Sequence, residues 1–146
     1  MLTVLGILRA AGQLCPGFCL RIENEPYMRL VIEDIQIPGP NGHPSISVAH
    51  YGEQNGDPMR DPEMLFELVE DGGKVLMVPY YYRNDYAGVE QYSRTLGDGG
   101  SLVDRRLFRD QQAFARMWDR NLRAQGFLEA FRRERGNRPS TLFQTL

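Results

Sequence analysis

SISVAHYGEQNGDPMRDPEMLFELV, Ser45 to Val69, is the stretch on which the fold turns. Ser45–Tyr51 alternates: Ile46, Val48 and His50 share one face, and Ser45, Ser47, Ala49 and Tyr51 share the other. A period of two marks a strand buried on one side. Met64–Val69 is a second extended apolar run. Between them, Gly52–Pro62 is dense in Gly, Asn, Asp and Pro, and Asn55-Gly56 is a turn dipeptide because both residues accept positive φ. The stretch therefore predicts a hairpin with a long polar connection, and connections of that length in small domains are enriched in function.

Working outward, Phe18–Glu23 and Tyr27–Ile37 read as strands flanking an Asn24-Glu25-Pro26 turn, and Pro38–Gly42 is a loop. Downstream, Asp71-Gly72-Gly73 is a hairpin turn, and Lys74–Tyr82 is a strand in which Pro79 marks an edge or a bulge. Connections this short cannot carry parallel crossovers. The pattern is an antiparallel meander of about five strands over residues 18–83. Helical spacing appears at both ends: Leu2–Leu14, with Thr3 as its cap, then Leu102–Gln125, then Phe127–Arg135 after Gly126. Arg83–Gln91 is ambiguous, with Asn84 or Asp85 able to cap a helical turn, and Leu96–Ser101 reads as a linker. The expectation is one α+β domain over 1–146: an N-terminal helix (1–15), the sheet, two C-terminal helices (102–135) packed on it, and a tail at 137–146.

A chain of 146 residues suits one domain, and its 42% hydrophobic content rules out a disordered class. The net charge of −2 argues for no global attraction to nucleic acid. The charge is unevenly placed: residues 1–101 carry 7 basic and 14 acidic side chains, residues 102–146 carry 10 and 5. The basic C-terminal part is therefore expected to pack on, or pair with, the acidic sheet. Cys15 and Cys19 have no second Cys or His pair to complete a zinc site, and two thiols fit a reduced cytoplasm. The N-terminal MLTVLGILRAAGQL lacks the basic start of a targeting segment, and no run of 18 apolar residues exists. The expected location is cytoplasmic, away from membranes.

His50, Glu53, Asp57, Asp61 and Glu63 supply oxygen and imidazole donors that could hold a hard cation, though their spacing fits no EF-hand. Asp and Asn at such positions also cap turns through their own backbone, and a histidine on an inward strand phase is more often a hydrogen-bonded core residue than a base. No Ser-His-Asp, Cys-His, Walker or dinucleotide-binding pattern is present, so the sequence favours a non-catalytic protein and predicts no cofactor. Glu53, Gln54, Asn55 and Asp57 of the turn, with Tyr80, Tyr82, Asn84 and Asp85 after the aromatic run, form a candidate protein-interaction set. Arg105, Arg109, Arg116, Arg120, Arg123 and Arg132 form a candidate nucleic-acid set, provided that they share one face.

His50-Tyr51-Gly52-Glu53-Gln54-Asn55-Gly56-Asp57, followed by Met59-Arg60-Asp61-Pro62-Glu63-Met64 and Phe66-Glu67, resembles a family of uncharacterised small bacterial proteins met in plasmids, integrative elements and phages. Pro79–Asp85 (PYYYRND) is similar to that family's second marked segment. The likeness spans about residues 18–92. The order of elements also resembles the YqiB-like proteins, in pattern only. The resemblance by itself implies kinship and carries no activity; together with the acidic sheet, the aromatic cluster and the missing catalytic constellation it favours a non-catalytic accessory or interaction protein of a mobile element, one that could bind a host defence protein. A metal-dependent hydrolase built on His50–Glu63 and a nucleic-acid binder built on the C-terminal arginines are the alternatives.

Overall fold

A computed structural model describes residues 1–137. The chain runs α1 (Leu2–Ala11), β1 (Cys19–Asn24), β2 (Tyr27–Asp34), β3 (Ser45–Gln54), β4 (Asp57–Asp71), β5 (Lys74–Asn84), β6 (Val89–Tyr92), β7 (Arg94–Gly97), β8 (Gly100–Val103), α2 (Arg105–Ala124) and α3 (Phe127–Gly136). Strands β1 to β6 form one antiparallel sheet in sequence order, and β7 pairs with β8. The architecture is the expected α+β arrangement, with six strands in the meander rather than about five. The sixth was hidden because Val89–Tyr92 is short and mostly exposed, leaving no alternation to read. Leu96–Ser101, expected to be a linker, is instead the end of the β7–β8 hairpin, with Leu96 opposite Ser101 and Gly97 opposite Gly100. The expected tail falls almost wholly outside the described residues.

The hairpin of β3 and β4 corrects the predicted long connection. Gln54 pairs with Asp57, so the loop is Asn55-Gly56 alone, with φ of 53° and 85°. Two residues of positive φ match the right-handed twist of the flanking strands, so the strands continue almost to the tip. The prolines are absorbed by irregular pairing. Ala49 pairs with Glu63 and Tyr51 with Arg60, so Asp61 and Pro62 both lie opposite His50 in a bulge, where a missing N–H is tolerated. Pro79 sits at a second bulge, as its place in the strand predicted, because Leu65 pairs with Tyr81 but Phe66 with Pro79.

One face of the sheet carries the core. Register aligns Leu20, Ile32, Val48 and Met64 across four strands, and Ile22, Leu30 and His50 in the next row. These rows meet Val4 and Ile7 of α1, Trp118 and Leu122 of α2, and Phe127 and Phe131 of α3 in a single hydrophobic cluster. Thr3 does not cap α1 with its own side chain. Instead the Asp119 carboxylate of α2 accepts from the Thr3 amide at 2.8 Å, tying the two helices together.

On the other face, Glu67 is fully buried and its carboxylate meets the Arg94 guanidinium of β7 at 2.6 Å. The same carboxylate accepts from the amides of Asn41 and His43. A Cβ at Gly39 would overlap the Glu67 side chain, so only glycine lets this loop close over it. The pair joins the 38–43 loop, β4 and the small hairpin.

Candidate functional site

Bulge and helix together open a cavity of about 340 Å³ between the end of the sheet and α2. From the sheet come His50, Asp61, Tyr82 and Asn84, and from α2 come Phe114 and Trp118. Tyr27, Met28 and Met117 form an exposed rim. The bulge is what brings Asp61 here: the extra residue opposite His50 turns the Asp61 side chain to the helix-bearing face. Asn84 then donates to the Asp61 carboxylate at 2.8 Å and holds it.

His50 forms part of the buried wall, 8% exposed, with its ring centroid 5.5 Å from those of both Trp118 and Phe127. Its Nδ1 lies 3.3 Å from the Arg29 carbonyl. Burial lowers its pKa from the ordinary 6.5, against the opposing pull of backbone carbonyls and Asp61. The ring is therefore neutral at pH 7, and a carbonyl oxygen beside Nδ1 calls for the tautomer in which that nitrogen carries the proton. Phe114 stands edge-on to Tyr82 at 5.1 Å and 6.0 Å from Trp118, so the aromatic wall is continuous.

The five candidate metal ligands are not brought together. His50 and Asp61 line the cavity, Glu53 and Asp57 lie exposed beside the hairpin tip, and Glu63 sits on the opposite face, bonded to Ser47 and Arg60. Among the described residues no three His, Cys, Asp or Glu side chains are grouped to hold a metal ion. Glu63 is displaced by one strand step, which reverses the face a side chain occupies.

The protein-interaction set is divided as well. Tyr80 is buried, with the Arg94 guanidinium 5.8 Å over its ring. Tyr82 and Asn84 belong to the cavity. Asp85 accepts from the Arg60 amide and the Arg83 guanidinium, both at 2.8 Å, which hold its pKa below the usual carboxylate value. Glu53, Gln54, Asn55 and Asp57 remain exposed at the tip.

The arginine set behaves differently. At 100° per residue, Arg105, Arg109, Arg116, Arg120 and Arg123 fall within about 60° of arc and span about 27 Å of α2. All five are exposed. Ion pairs within 4 Å are made by Arg29, Arg60, Arg83 and Arg94, and among the described residues these five make none. The basic helices pack on the sheet through the shared hydrophobic cluster, while the sheet's carboxylates pair within the strand region, because sheet arginines already stand next to them. Asp104 caps α2 and Asp119 is bonded to Thr3, so neither neutralises the stripe. Arg132 is exposed but lies on α3, outside it.

A family model described as a domain of unknown function (DUF6908) matches residues 2–128. The chain belongs to this family. The matched span takes in α1, the whole sheet, the small hairpin, α2 and the start of α3, so in this chain both the cavity and the arginine stripe lie inside it. No curated protein and no solved structure matches the chain. No helix among the described residues is long and apolar enough to cross a membrane, and Cys15 and Cys19 are both free.

Proposed function

We propose that the chain is a non-catalytic binding protein that grips the phosphate backbone of duplex DNA along the exposed face of α2. The observation that carries this reading is the arginine stripe: five guanidinium groups on one face, with no carboxylate within 4 Å among the described residues. Unpaired guanidinium groups are fully available to phosphate oxygens, which they bind in a bidentate fork. Duplex DNA presents a charge every ~1.7 Å of its axis, so a 27 Å stripe always finds phosphates in reach. A single strand would be held by stacked aromatics, and the stripe contains none; Gln112 and Ala113 lie between its arginines. The mobile-element setting implied by the resemblance suits an accessory protein that handles the element's own DNA. The protein-partner and hydrolase readings draw on residues that the fold separates.

Fluorescence anisotropy with a labelled duplex of unrelated sequence tests the proposal. Five phosphate contacts give a slope of log K against log salt of about −4.5. The Arg109→Glu/Arg116→Glu/Arg120→Glu variant should lose binding while keeping the wild-type melting temperature, since all three side chains are exposed. Arg132→Glu should have the smaller effect. Binding that survives the triple substitution, or that is absent from the wild type at about 50 mM salt, would refute the reading.

A further inference from the structure

We infer that the cavity between the bulged end of the sheet and α2 is a binding site for a small organic cation. Its walls include the aromatic rings of Tyr82, Phe114 and Trp118, and among the described lining residues Asp61 is the one formal charge. No Lys or Arg lines it. Arg60, which neighbours Asp61 in sequence, is turned to the other face and engaged with Glu63 and Asp85. The site is therefore negative, aromatic and half-enclosed.

A cation with apolar substituents meets each of those features. Aromatic faces attract it through their quadrupoles, and the carboxylate supplies the counter-charge. Asn84 orients Asp61 without neutralising it, since a carboxamide donates a hydrogen bond but carries no charge. His50 stays neutral in its apolar surroundings, so it places no competing positive charge in the wall. An anion would face Asp61 without a partner, and a cavity of about 340 Å³ lies at the small end of the range for ligand sites. This inference is independent of the DNA reading, because the stripe lies on a different face of α2 and attracts the opposite charge.

Trp118 is the chain's single tryptophan and lines the cavity, so a ligand bound there perturbs the one indole fluorophore. The test titrates the intact protein with choline, tetramethylammonium and benzamidinium, and with 3,3-dimethylbutan-1-ol, the uncharged carbon analogue of choline. Fluorescence is read in parallel with calorimetry. The expected result is saturable binding of at least one of the three cations, no binding of the alcohol, and affinity about tenfold weaker in Asp61→Asn. Tyr82→Leu, which removes one ring, should weaken binding with Asp61 intact. Circular dichroism confirms that each variant is folded. Silence of all three cations in both readouts overturns the inference. So does equal binding of the alcohol, or unchanged affinity in a folded Asp61→Asn protein.

Discussion

His50 occupies a strand position whose neighbours in the core rows are Leu30, Val48 and Met64. An imidazole there has to be neutral, and burial is the largest cause of its lowered pKa. The unfolded chain then binds a proton that the folded chain refuses, in the window below the ordinary 6.5. Stability from this residue is complete above that value and falls as pH drops through the window towards the folded pKa. Asp61 is the charge that acts on the ring, and it opposes the shift. Urea denaturation from about pH 7 to 5 should show wild-type stability falling more steeply than that of His50→Gln. Equal slopes would show that the folded ring protonates as readily as the free one.

At the scale of elements, the β7–β8 hairpin has mostly exposed side chains and little core of its own. Arg94 is what fastens it: beyond the Glu67 contact, it donates to the carbonyls of Pro79 and Val78, each at 3.2 Å. Removing one member of such a buried pair strands the other charge. Arg94→Ala should therefore lower unfolding stability by about 3–5 kcal/mol, whereas replacing both, as Arg94→Met with Glu67→Leu, should recover much of the loss. Equal losses in the single and double variants would assign the effect to packing instead. The β3–β4 hairpin teaches the opposite lesson about local signals. Its Asn-Gly dipeptide was legible, but the extent of the strands was not. Asp57, Pro58, Asp61 and Pro62 are turn formers by composition, and strand pairing with β3 overrode them.

Across the whole molecule, one cluster draws on all three helices and on β1 to β4. Trp118 belongs to that cluster and is 4% exposed. Unfolding should accordingly be a single transition, with Trp118 fluorescence and far-ultraviolet circular dichroism giving coincident denaturation curves. Separated midpoints would mean that the helices detach from the sheet as a unit. Charge is also partitioned at this scale. Acidic groups of the sheet pair with arginines of the strand region, which leaves the α2 stripe unneutralised in a molecule whose net charge is only −2. Net charge thus conceals the feature on which the proposed DNA contact rests, because screening makes such contacts local over ~8 Å at physiological salt.

The sequence by itself determined the three helices, the first five strands and their antiparallel order, the inward phase of His50, and an edge or bulge at Pro79; β6, β7 and β8 were not legible in it. Each follows from short-range rules: period two for a half-buried strand, period 3.6 for a helix, and positive φ at Asn-Gly and Gly-Gly. It also named four residues that line the cavity, His50, Asp61, Tyr82 and Asn84, but as members of separate groups. Trp118 and Phe114 were readable only as core. The tertiary structure decided which of these side chains meet. A one-residue bulge turns Asp61 towards the helices and leaves Glu63 behind, and no local pattern specifies how many residues a partner strand will place opposite His50. Only the fold, likewise, could show that the sheet's carboxylates are met by its own arginines and that those of α2 stand free of them. Charge pairing depends on which strands become neighbours, and that is a property of the assembled sheet.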